Sequence, residues 1–249
     1  MPQGSPPEAD YARTVEVIAE VWQRVVTTQP PPSDPIVALM AAAATALVLF
    51  RPAWVRTRHV ITIAHEGAHG FAALVTGRKL GGIRLHSDTS GVTVSSGKPR
   101  GFGMVLTAFS GYVGPGLIGL ATAWLVARGY SVGVLWLTLA LLALLLVQIR
   151  NWFGLWSVLV TGAIVFVVSW WMPAPGQSAF AYVVVWFLLI ASPRPVVELQ
   201  AQRARRGTPT SDADQLARLT GLPGIVWVGL FLLVTLGSLG LGSLWMLSS

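Results

Sequence analysis

Long apolar runs decide the class of this chain. Five stretches, about 104–127, 130–149, 153–172, 179–191 and 223–247, contain no Asp, Glu, Lys, Arg or His. A bilayer core takes about 20 helical residues, so such runs read as membrane spans. Two weaker runs precede them: 36–50, which is short, and 59–76, which polar residues interrupt. The sequence therefore predicts an all-α polytopic membrane protein with about seven spanning helices. Only 11% of residues are charged, against roughly 25% in an ordinary soluble domain. A soluble enzyme, a disordered chain and a nucleic-acid binder are excluded. The net charge of +7 sits in short gaps between apolar runs, not in one basic face. With no cysteine in the chain, disulfides, iron–sulfur clusters and a thiolate nucleophile are excluded, and any metal must be held by His, Asp or Glu.

Other segments are not spans. Tyr11, Val15, Ile18, Trp22 and Val25 recur at helical spacing, which predicts an amphipathic helix over about 9–27. Pro30, Pro31, Pro32 and Pro35 then break the chain. Residues 1–35 are read as an amphipathic helix and Pro-rich linker, and 36–249 as the membrane domain. Between about 82 and 95, Ile83, Leu85, Val92 and Val94 alternate with polar residues around Ser87-Asp88-Thr89-Ser90-Gly91, which predicts a β-hairpin. Seven spans would put residues 1–35, 77–103, Arg150 and 192–222 on one side. That side carries thirteen basic residues, against Arg51, Arg56, Arg58 and Arg128 on the other. By the positive-inside rule, the amphipathic helix is then cytoplasmic. The cluster at 51–58 sits badly with this orientation. Trp54, Trp152, Trp170, Trp171 and Trp245 fall near span ends, as an aromatic belt would. Arg203, Arg205 and Arg206 read as a topology signal and a contact for anionic membrane lipid.

The chemistry is concentrated in His65-Glu66-Gly67-Ala68-His69. Residues four apart share a helix face, so both imidazoles can point at one ion. Glu66 lies next to that face, placed to take a proton from a water activated by the metal. With 4 His and 10 acids in 249 residues, accidental matches number on the order of 0.001. Three ionisable groups in one turn of a spanning helix are costly, at about 2.5–3.5 kcal/mol for a central charge. Binding a dication offsets that cost.

This motif, the hairpin after it, and Gly111-Tyr112-Val113-Gly114-Pro115 in the next span resemble the site-2 protease family of intramembrane zinc metalloproteases. The Gly-Pro segment is similar to the family's Gly-Pro-x-x-Asn signature, with Ile118 at the Asn position. The likeness runs over about 59–222 and points to a divergent bacterial branch. It implies zinc as cofactor and a location in the bacterial cytoplasmic membrane. It implies a transmembrane protein as substrate, in the family often a membrane-tethered regulator. It also implies a hairpin that helps hold the substrate in extended form. Ile83, Leu85, Val92 and Val94 are the candidate substrate-binding strand residues, acting by strand addition.

The family's third ligand is an Asp in a Leu-Asp-Gly motif. Here Arg150-Asn151-Trp152-Phe153-Gly154 occupies that region without an acid. After Glu66 the only acids are Asp88, Glu198, Asp212 and Asp214. Glu198, at the end of the sixth span, ranks first as third ligand, and Asp212 second. Asp214 answers Ser211 in a helix cap. Asn151 is a candidate neutral ligand or oxyanion partner. His86 and Asp88 read as a solvated turn. The expected function is peptide-bond hydrolysis in a client's transmembrane segment with Glu66 as general base. The alternative is an inactive metal-binding scaffold. A transporter fits poorly, because the five cleanest runs carry no charge.

Overall fold

The computed structural model describes residues 7–206 and 211–248. It contains ten helices among the described residues: α1 (Pro7–Val26), α2 (Asp34–Leu49), α3 (Arg51–Val75), α4 (Phe102–Ala127), α5 (Ser131–Gln148), α6 (Trp152–Trp171), α7 (Ala174–Ala191), α8 (Pro193–Arg206), α9 (Asp212–Thr220) and α10 (Gly224–Leu247). One antiparallel hairpin, β1 (Lys79–Leu85) and β2 (Gly91–Ser96), follows α3. The all-helical membrane architecture with a short hairpin is as the sequence implies.

The span count differs. Five helices are long and apolar enough to cross a membrane, α7 doing so together with α8. A sixth crossing exists if α2 and α3, bent by 99°, count as one. The bend has a local cause. Pro52 has no N–H to donate to the Val48 carbonyl, so the α2 ladder cannot run on into α3. The freed Val48 carbonyl instead accepts a hydrogen bond from the Arg194 guanidinium.

Counting the pair as one crossing reverses the expected place of the amino-terminal helix. The Gln29 N–H donates to the Gly129 carbonyl at 2.8 Å, and the Val132 N–H donates to Gln29 Oε1 at 3.2 Å. The segment after α1 is thus fixed to the start of α5. The hairpin is fixed to the other end of α5, where the Arg150 N–H donates to the Ile83 carbonyl at 2.9 Å. An α5 of 18 residues separates the two by about 27 Å. The segment after α1 and the hairpin therefore sit at opposite ends of α5, whereas the seven-span reading puts α1 on the side of residues 77–103. The apolar face of α1 is exposed at Tyr11, Val15, Ile18 and Trp22.

Three apolar clusters hold the bundle. One, around Tyr182, Trp186 and Leu189, joins α2, α4 and α7. A second, around Phe231 and Leu216, seats α8 and α9 on α4 and α10. The third packs Ile83 and Leu85 of β1 against Ile63, Leu142 and Val158. Trp54 is no belt residue: it is buried, with Arg194 stacked on its ring at 4.4 Å and Arg58 at 5.7 Å. Trp152 and Trp171 are exposed, as a belt requires.

Candidate metal centre

The α3 helix carries His65, Glu66 and His69, and α4 runs against this turn. The His65 and His69 Nε2 atoms lie 3.1 Å apart. His69 Nδ1–H donates to the Thr107 carbonyl at 2.6 Å. That bond fixes the tautomer and turns Nε2 toward its partner, as a carbonyl behind a ligating histidine does. Close approach needs Gly111. A Cβ there would fall 2.7 Å from His65 Nε2 and closer still to His69.

Asp212 completes the group. Its Oδ2 lies 3.4 Å from His65 Nε2 and 3.2 Å from His69 Nε2. Ligand atoms 2.0–2.1 Å from one zinc at tetrahedral angles are about 3.3 Å apart, so these three spacings fit the ion. Among the described residues this is the one group of three or more His, Asp or Glu side chains that could hold a metal. Burial pushes the Asp212 carboxyl up, but the two imidazoles outweigh it and hold it well below the usual carboxylate range.

Glu198, ranked first on sequence, is elsewhere. Its carboxylate bridges Arg58 and Arg194, at 3.1 Å to each. It answers the two cations, Arg58 and Arg194, that meet on Trp54; of the basic cluster at 51–58 this accounts for Arg58, while Arg56 donates to the Pro52 carbonyl at 2.8 Å. Asp214 accepts from Ser211 and Arg203. The Asp214 N–H donates back to Ser211 at 3.3 Å, the cap that the spacing predicts.

Glu66 is buried and faces the same cleft. Thr93 Oγ1 donates to its Oε2 at 2.7 Å and to its backbone carbonyl at 3.0 Å. The cleft, of about 520 Å³, is lined by His65, Glu66, His69, Asp212, Tyr112 and the β2 residues 91–95. Of the four candidate strand residues, Ile83 and Leu85 are buried in the core. Their strand edge is also taken. Asn151 Nδ2 donates to the Leu85 carbonyl at 2.6 Å, and the Leu85 N–H donates to Asn151 Oδ1 at 3.2 Å. Both ends of the Asn151 amide pair with the Leu85 backbone, so it closes the β1 edge, and it is not among the residues that line the cleft. Val92 and Val94 lie on β2, whose outer edge no described strand occupies. Their side chains are half-exposed on the face away from Glu66, while Thr93 points to it.

The hairpin turn is solvated, as expected. Asp88 accepts from the Ser90 N–H at 3.0 Å and from its hydroxyl at 2.7 Å. These bonds hold the Asp88 carboxyl below its ordinary range.

Sequence reasoning missed Thr93 and Thr107. The signal for Thr93 was present, because alternation in Gly91-Val92-Thr93-Val94-Ser95 puts Gly, Thr and Ser on one face. The Thr107 contribution is a backbone carbonyl and leaves no trace in side-chain pattern.

No curated protein matches the chain, and no solved structure does. The family model described as Peptidase M50B-like matches residues 38–242, a stretch that holds the His pair, the hairpin, α4 and Asp212, so this multi-pass membrane protein belongs to that family of site-2 proteases.

Proposed function

We propose that this chain is an intramembrane zinc metalloprotease. Its zinc would be held by His65, His69 and Asp212, and its substrate would be the transmembrane segment of another protein. The observation that carries the reading is the three-way spacing of 3.1, 3.2 and 3.4 Å between ligand atoms with a buried glutamate alongside. Zinc at that position supplies Lewis acidity and a nucleophile at neutral pH.

The chain's own groups do the rest. Glu66 accepts a proton from the attacking water and returns it to the leaving amine nitrogen. Thr93 holds the Glu66 carboxylate in place through its 2.7 Å hydrogen bond. The Thr107 carbonyl fixes the ring of His69. A helical peptide bond is shielded, so the substrate has to unwind. The open edge of β2 pairs with the unwound segment and lays it along the cleft.

The distribution of basic residues supports an orientation. The hairpin end of the bundle carries Arg78, Lys79, Arg84, Lys98, Arg100, Arg150, Arg194, Arg203, Arg205, Arg206 and Arg218, against Arg13, Arg24 and Arg128 at the other, with Arg51, Arg56 and Arg58 at the α2–α3 bend. By the positive-inside rule the hairpin and the metal centre face the cytoplasm, and α1 lies on the opposite face.

The test is zinc content of the purified chain for parent, Glu66→Gln and Asp212→Ala, with new protein termini compared between cells carrying parent and Glu66→Gln. About one zinc in parent and Glu66→Gln, none in Asp212→Ala, and termini found only with the parent are expected. Zinc without any parent-specific terminus would leave a metal-binding scaffold, and no zinc would remove both readings.

A further inference from the structure

Asp212 is the one group of the proposed centre that no spanning helix carries. It stands at the first position of α9, a helix of nine residues. Apolar packing holds the body of that helix: Ala213 and Leu216 are buried in the cluster with Trp227 and Phe231. Within the first turn that packing rests on the single methyl of Ala213, and the carboxylate beside it has to meet both imidazoles.

We infer that Arg203 is a positioning residue for the metal centre, clamping the first turn of α9 so that Asp212 points at His65 and His69. This rests on the metal reading above. Arg203 comes from α8, a different element. Its Nη1 donates to Asp214 Oδ1 and to Ser211 Oγ at 3.3 Å. Ser211 Oγ in turn donates to Asp214 Oδ2 at 2.5 Å. These two partners stand on either side of Asp212 in the chain. The Arg203 and Asp214 side chains are both mostly buried, at 19% exposure, so the pair is shielded from the screening that weakens exposed ones. The third wall is α10. A Cβ on Gly224, its first residue, would fall 2.9 Å from Arg203 Cζ and 3.0 Å from Nη1. The glycine leaves the space that the guanidinium fills, and α8, α9 and α10 meet on one planar group. Arg205, two residues on, is exposed and makes none of these bonds. Arg203 and Arg205 thus differ in role, one a mostly buried clamp and the other exposed.

The experiment measures zinc affinity by chelator competition on the full chain in detergent, with the visible spectrum of the cobalt-loaded protein as a second readout. A residue behind a ligand typically changes metal affinity 10–100-fold. Arg203→Gln is expected to weaken zinc by about that factor and to shift the cobalt spectrum toward that of Asp212→Ala. Arg203→Lys keeps the charge but loses the fork and should fall between parent and Arg203→Gln. Gly224→Ala displaces the guanidinium without changing any charge and should weaken zinc in the same direction. Arg205→Gln is the control for net charge and should match the parent. Parent-like affinity in both Arg203→Gln and Gly224→Ala would overturn the clamp, as would an equal loss in Arg205→Gln. A parent that takes up no zinc would instead overturn the metal reading on which the clamp depends.

Discussion

Gly111→Ala should abolish metal binding while leaving most of the fold intact. The added methyl carbon would sit 2.7 Å from His65 Nε2 and nearer to His69. Ordinary contact between such atoms begins at about 3.4 Å. Either the rings or the α3–α4 pair must then give by at least about 0.7 Å. Neither ring turns freely, because the Thr107 carbonyl holds His69 at 2.6 Å and Tyr112 packs edge-on to His65 at 4.8 Å between ring centroids. Metal–ligand distances tolerate about ±0.2 Å, so the displacement exceeds the tolerance several-fold. Overpacking of this kind costs about 1–3 kcal/mol of stability, not enough to unfold a bundle held by three apolar clusters. The control is Gly67→Ala, inside the motif itself, where a Cβ would meet only Leu145 at 3.6 Å. Zinc measured after chelator wash should drop below about a tenth per chain in Gly111→Ala and stay near one in Gly67→Ala. Full zinc in Gly111→Ala at parent affinity would show that the ligands are not where the geometry puts them.

Asp212→Ala should lose zinc, whereas Glu198→Ala should keep it and instead lower the melting temperature by a few degrees, since each of its partly exposed ion pairs contributes at most about 1 kcal/mol. Thr93→Val should leave zinc content unchanged and lower turnover, because only the base loses its partner. Asn151→Ala removes two hydrogen bonds worth about 0.5–1.5 kcal/mol each and opens the β1 edge, so the Leu85 amide should exchange faster with deuterium. Because the chain has no cysteine, single cysteines at Glu16 and Ser87 can be labelled with an impermeant reagent; the two should react from opposite faces of the membrane, and labelling from the same face would sink the six-crossing arrangement.

The spans without charge were legible because a bilayer imposes length and composition on every residue of a crossing. The bend at Phe50 was less so. Pro52 was in plain view, but the group that takes up the freed Val48 carbonyl, Arg194, lies far along the chain. Arg194 also bears on which acid joins the two histidines. Glu198 and Asp212 look equally available in sequence, and what separates them is where two arginines had to find an acid. The His65–His69 pair needed no such context, since the helical period alone sets it. Asn151 was singled out as polar and isolated, but backbone groups of the hairpin claimed it, and backbone demands do not show in side-chain pattern.

Because the acid of the centre comes from α9 and the imidazoles from α3, the centre is made in two stages as the chain is synthesised. At about 5–20 residues per second, a ribosome finishes His65 and His69 several seconds before Asp212. During that interval the hairpin and five further helices, α4 to α8, are laid down. A chain that stops short of residue 211 has its histidines and its glutamate but no anionic ligand. Completeness of the group thereby reports that synthesis has reached α9, and a shorter nascent chain carries an unfinished site into the membrane.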